Sequence, residues 1–166
     1  MLLRATVLIT FMTLSAAGLL AQEPPEGVPS GVDGWVVLAN IQTQEWRIVD
    51  HGGEGVSAPG SARVGLRVGG TYYFDTSNVE SEDLPLLFLS GSGEVLLSQS
   101  RDGGEGEAAD GVNAEIDEDG IQFELTEELA ERLSRFRAAP YPSMVGYITV
   151  TGGTEEENGE QQEGNE

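Results

Sequence analysis

FRAAPYPSMVGYITV, residues 136–150, carries two changes of state within fifteen residues. Phe136–Ala138 ends an apolar, arginine-spaced run of strand type. Pro140 and Pro142 then preset a bend, because each ring fixes φ near −65°. Met144-Val-Gly opens a second run, VGYITV, rich in the β-branched and aromatic residues that suit a pleated surface. Working outward, the same strand grammar repeats. WVVLA (35–39), EWRIV (45–49), ARVGLRV (62–68), TYYFD (71–75), LLFLS (86–90), VLLSQ (95–99), VNAEI (112–116) and IQFEL (121–125) are all short, and Gly, Asn, Asp or Ser separates most of them. In the last of these, Ile121, Phe123 and Leu125 alternate with Gln122 and Glu124, so one face enters a core and the other meets water. Gly69-Gly70 and Asp119-Gly120 read as tight strand-to-strand turns, since Gly and Asp tolerate positive φ. Only TEELAERL (126–133) has helical spacing, with Leu129, Leu133 and Phe136 on one side for about two turns. Many short strands and one short helix predict an all-β, Greek-key sandwich or barrel.

Composition sets the boundaries. The N-terminus, MLLRATVLITFMTLSAAGLLAQ, has a basic residue, a short apolar core from Ala5 to Leu14 and a small-residue flank. That pattern predicts a secretory signal over 1–21, cleaved after Ala17 or Ala21, and hence a periplasmic or extracellular protein with no membrane attachment after cleavage. Residues 22–33, QEPPEGVPSGVD, read as a flexible spacer rich in Pro, Gly and acid. Residues 34–151 form the domain, enough for one small core. Residues 152–166 contain six glutamates and no large apolar side chain, so burial cannot offset their ordering entropy and they read as a disordered acidic tail.

The chain has 29 acidic residues against 8 basic ones, a formal charge of −21, and every basic residue is arginine. Nothing in that balance neutralises phosphates, so nucleic acid is excluded as a partner. A carboxylate-rich, lysine-free chain points to a salt-adapted bacterium: at about 1 M salt the screening length falls to about 3 Å and self-repulsion is suppressed. There is no cysteine. Disulfides, thiolate metal sites and a cysteine nucleophile are therefore absent.

Several motifs fail on their context. Gly53, Gly55, Ala58 and Gly104, Gly106, Ala109 match a dinucleotide fingerprint, but Pro59-Gly60 and Asp110-Gly111 follow where a helix should begin. The repeated GGEG at 52–55 and 103–106 reads instead as two flexible loops. Glu115, Asp117, Asp119 and Gly120 echo a calcium loop, but the first position is Glu and the twelfth is Thr126, so a hairpin explains them better. His51, the single histidine, reads as an exposed loop residue, since no nucleophile elbow accompanies it. Trp35, Trp46, Tyr72, Tyr73 and Phe74 have the spacing of core strands rather than of a ligand platform.

From about Val64 onward the chain resembles the cupredoxins, the blue-copper sandwich family of plastocyanin, amicyanin and pseudoazurin. LRVGGTYYFD resembles the family's strand–turn–strand, TSNVESEDLPLLFL the loop that delivers the first copper histidine, and FRAAPYPSMVGYITV the closing loop with Cys, His and Met three apart. The resemblance places the first histidine slot at Leu84, the cysteine slot at Ala138, the second histidine slot at Tyr141 and the axial position at Met144, with Gly146 following. A type-1 centre needs a thiolate and two imidazoles, and the axial thioether contributes little. Three of the four ligands are missing here. The expectation is a copper-free module without cofactor or metal, in which these positions fill a small packed pocket and Met144 acts as an adaptable filler. A structural or protein-binding accessory role follows, with the partner and oligomeric state open. A periplasmic metal-binding protein, using carboxylates, Met144 and His51 for copper or calcium, is the alternative. An enzyme ranks last, because no motif supports the carboxylate pair that a glycosidase requires.

Overall fold

The computed structural model describes residues 23–41, 45–60, 62–79, 84–99 and 106–152. The expected signal peptide, nearly all of the acidic tail and most of the second GGEG lie outside them. Among these residues the chain is all-β with one short helix. Twelve strands run β1 (Gly34–Ile41), β2 (Glu45–Gly53), β3 (Val56–Gly60), β4 (Arg63–Arg67), β5 (Thr71–Asn78), β6 (Leu86–Ser90), β7 (Val95–Ser98), β8 (Glu107–Ala108), β9 (Ala114–Ile116), β10 (Gly120–Glu124), β11 (Leu133–Ala138) and β12 (Val145–Thr151), with α1 (Glu127–Arg132) before β11. They form two mixed sheets. Sheet A has the order β2-β1-β5-β10-β9, and sheet B the order β3-β4-β12-β11-β6-β7-β8. β1–β5 and β4–β12 are the parallel pairs. The other pairs are antiparallel.

The strand alternation read from the sequence sorts the side chains. Val36, Leu38, Trp46, Tyr72, Phe74, Ile121 and Phe123 of sheet A meet Val64, Leu66, Leu86, Phe88, Phe136 and Ile148 of sheet B in one core. Phe74 sits at its centre, edge-on to Phe88 with centroids 4.9 Å apart and to Phe136 at 5.8 Å. Such edge contacts add about 0.5–1.5 kcal/mol each beyond burial. All five aromatics expected in the core are buried, but Trp35 and Tyr73 stand on the opposite face of sheet A. Their rings lie along the sheet over glycines of neighbouring strands: a Cβ at Gly52 would come within 2.4 Å of the Trp35 ring, and one at Gly120 within 2.6 Å of the Tyr73 ring.

Several expectations change. Gly69-Gly70 does not close a hairpin: Gly69 takes φ +88° and carries the chain from β4 in sheet B to β5 in sheet A. Asp119-Gly120 does join a hairpin, β9–β10, held by Asp117, whose Oδ1 accepts from the amides of Asp119 and Gly120 at 2.9 and 2.8 Å. The first GGEG is ordered. Gly52 and Gly53 end β2, and a Cβ at Gly53 would lie 2.2 Å from the Asp33 carbonyl oxygen. These glycines serve close approach rather than flexibility. His51 is a half-buried strand residue in register with Val36, because β2 runs on past EWRIV to Gly53. At the end of the expected spacer, Asp33 is tied down: its amide donates to the Thr71 carbonyl, and its Oδ2 accepts from the Thr71 amide, both at 2.8 Å. Helix α1 ends at Arg132. Thr126 caps it by accepting from the Leu129 amide, and Leu133 and Phe136 already belong to β11, whose pairing with β6 overrides the helical spacing.

Candidate functional site

The closing loop is assembled by its backbone. β11 delivers Ala138 to one end of sheet B, where it is in register with Leu86. Pro140 and Pro142 bend the chain, and β12 carries it back. Three hydrogen bonds join positions 138, 141 and 144 into a ring. The Tyr141 amide donates to the Ala138 carbonyl at 3.3 Å, the Met144 amide to the Tyr141 carbonyl at 2.9 Å, and the Ala138 amide to the Met144 carbonyl at 3.2 Å. The segment before β6 is tied to the same loop, since the Ala139 amide donates to the Pro85 carbonyl at 3.0 Å. The four positions marked by the resemblance thus lie on two segments bonded to each other at one end of the sandwich.

Their side chains divide. Leu84, Ala138 and Met144 are buried, at 3%, 0% and 0% exposure, and belong to the same packed core. Tyr141 does not join them. It is 37% exposed, between two exposed prolines at the tip of the turn. Of the three positions without a ligand residue, Leu84 and Ala138 are thus buried in the same core as Met144, and Tyr141 is not. Gly146 has a packing role of its own: it is in register with Phe136, and a Cβ there would lie 2.0 Å from the Phe136 ring. The glycine of Met-x-Gly is the seat of a core aromatic.

Sequence reasoning missed the polar cluster beside this loop. Gln99, 6% exposed, accepts at Oε1 from the Leu86 amide at 2.9 Å, and its Nε2 donates to Thr76 Oγ1 and to the Asp117 carbonyl. Thr76 in turn donates from Oγ1 and from its amide to the Asp119 carbonyl. The cluster links β6 of sheet B to β5 and the β9–β10 hairpin of sheet A. All its partners are satisfied, so it stitches the sheets rather than offering a reactive group.

Chemically, Leu84, Ala138 and Met144 present one thioether and hydrocarbon. Among the described residues, no three of His, Asp and Glu gather closely enough to hold one ion. His51 stands away from the loop. Trp46 meets Phe136 with ring centroids 6.3 Å apart, and His51 lies five residues further along β2, roughly 16 Å at about 3.3 Å per residue. Asp117, the centre of the calcium-like stretch, spends an oxygen on its own hairpin. One cleft among the described residues is lined by Gly31, Thr71, Asn113, Glu115, Gln122 and Glu124 on the outer side of sheet A, with no histidine, cysteine or lysine in its lining. Among the described residues no helix is long and apolar enough to cross a membrane. No protein-family model, curated protein or solved structure matches the chain.

Proposed function

We propose that the chain is an exported, copper-free module of cupredoxin-like, Greek-key build, with a structural or protein-binding role in a larger periplasmic or extracellular assembly of a salt-adapted bacterium. One observation carries the reading. The residues assigned to copper slots fall at two bonded segments at one end of the sandwich, and the three that turn inward are hydrocarbon or thioether. The loop's shape is retained by its prolines and its hydrogen-bond ring, while the donor set for type-1 copper is missing. The same end offers a surface suited to contact. Pro140, Tyr141, Pro142 and Ser143 are all exposed, and a tyrosine held between prolines loses little conformational entropy when a partner covers it.

The metal-binding alternative has less support: among the described residues, no three of His, Asp and Glu gather closely enough to hold an ion. Metal analysis of the dialysed, full chain tests the choice. The expected result is no stoichiometric copper or calcium; one tightly held ion per chain overturns it. Cross-linking in the native envelope tests the accessory role, which predicts a defined adduct through Tyr141 that is lost in Tyr141→Ala. Recovery of the protein alone under every condition removes that role.

A further inference from the structure

The outer face of sheet B concentrates arginine in a chain that is otherwise strongly acidic. Six of the eight arginines fall among the described residues, and five of them lie on sheet B or at the helix end that leads into it. Strand register places them in rows. Arg63 of β4 is opposite Tyr147 of β12, Tyr147 is opposite Arg135 of β11, and Arg135 is opposite Leu89 of β6. In the next row Arg137 is opposite Val145 and Leu87. Arg67 and Arg132 have carboxylate partners, Glu54 and Glu94. The Arg63 guanidinium instead lies 5.2 Å from the Tyr147 ring centroid, and neither Arg135 nor Arg137 has a carboxylate partner among the described residues. Arg137 Nε is buried without an acceptor. In so acidic a chain, three guanidinium groups on one sheet face without a carboxylate partner among the described residues mark an anion-docking surface.

We propose that the occupant of this face is the chain's own glutamate-rich C-terminal segment, residues 153–166. Charge complementarity is the first argument: the segment holds six glutamates and no basic residue. Position is the second. β12 ends at Thr151, in register with Arg67 at the margin of the same face. Gly152 follows at φ +79°, with Arg67 Cγ 3.1 Å from where its Cβ would be, so the described chain ends beside an arginine. Reach is the third. Doubling back from Thr151 to the Tyr147 row needs about 13 Å at about 3.3 Å per residue, well within the remaining chain. Exposed ion pairs contribute only about 0–1 kcal/mol each, but a short tether supplies an effective concentration in the mM range. The contact is therefore a reversible one, held at low salt and released at about 1 M, where the screening length is about 3 Å, and it does not depend on the copper-loop reading.

The absence of cysteine makes a direct test available. A nitroxide is attached to Glu160→Cys in the full chain, and amide NMR signals are compared with those of the reduced label. Tyr147, Arg135 and Arg137 should lose about half their intensity, as a tether of mM effective concentration implies, while Val49 and His51 on sheet A keep theirs. The loss should vanish in Arg135→Gln/Arg137→Gln and at about 1 M salt, where the screening length is about 3 Å. If the double variant does not fold, exposed Arg63→Gln serves and should weaken the broadening at Tyr147. Broadening spread equally over both sheets, or unchanged by the arginine variants, overturns the proposal. So does a face untouched by its own segment but shifted by added polyglutamate, which assigns the arginines to an acidic partner instead.

Discussion

At the residue scale, Met144 and Tyr141 separate packing from chemistry. Both stand at positions that the resemblance assigns to ligands, yet one is fully buried and the other is 37% exposed. Truncating a buried methionine to alanine costs about 2–5 kcal/mol, whereas a volume-conserving change to leucine costs under about 1.5. Urea denaturation should therefore rank Met144→Ala far below Met144→Leu, with Tyr141→Ala within about 0.5 kcal/mol of the parent. A Met144→Leu variant as damaged as Met144→Ala would mean that the sulfur itself is needed. Tyr73 makes a second prediction. Burial, and then the carboxylates of Asp117, Asp75 and Asp119, push its phenol well above its ordinary value. The folded state therefore holds this proton more tightly than the unfolded chain. The stabilisation is complete below about pH 10, the unfolded value, and is lost as pH rises beyond it. Tyr73→Phe should flatten the alkaline loss of stability; an unchanged alkaline slope would count against this account of Tyr73.

At the scale of elements, the β9–β10 hairpin depends on one side chain. Asp117→Ala removes the acceptor for two turn amides and should cost about 1–2 kcal/mol, while Asp117→Asn keeps an oxygen there and should cost less. Thermal melts with and without calcium check both this and the calcium-like spacing: the hairpin account predicts a melting temperature that calcium does not move. Legibility also divides by element. The central strands were readable because their partners bury them and the alternation survives in the sequence. β3, VSAPG, and β8, Glu107–Ala108, were not, and both are edge strands of sheet B. Proline and glutamate are tolerated at an edge, where one side of the strand makes no ladder bonds. His51 was misread for a related reason, since glycines at Gly52 and Gly53 suggest a loop until the Trp35 ring and the Asp33 carbonyl are seen to require them. Nor does local pattern disclose Gln99, whose partners lie 13 to 23 residues away.

For the whole molecule, the charge of −21 sets the conditions of stability. Self-repulsion is screened as the Debye length shrinks from about 10 Å at 0.1 M to about 3 Å at 1 M. The melting temperature should rise steadily over that range, and a flat response would remove the argument for salt adaptation. The candidate site was legible in its backbone and only partly in its side chains: spacing, prolines and Met-x-Gly located the loop, but the outward turn of Tyr141 and the seating of Phe136 on Gly146 emerged from packing. The central proposal is that this loop has the frame of a copper site without its ligands. Installing such ligands in the full chain tests it most directly, with Leu84→His, Ala138→Cys and Tyr141→His placed around the native Met144. The account predicts that the folded variant takes up one cupric ion and turns intensely blue, bleaching with a reductant and recovering on oxidation, while the parent stays colourless. A folded variant that binds no copper, or binds it without that colour, would contradict the claim.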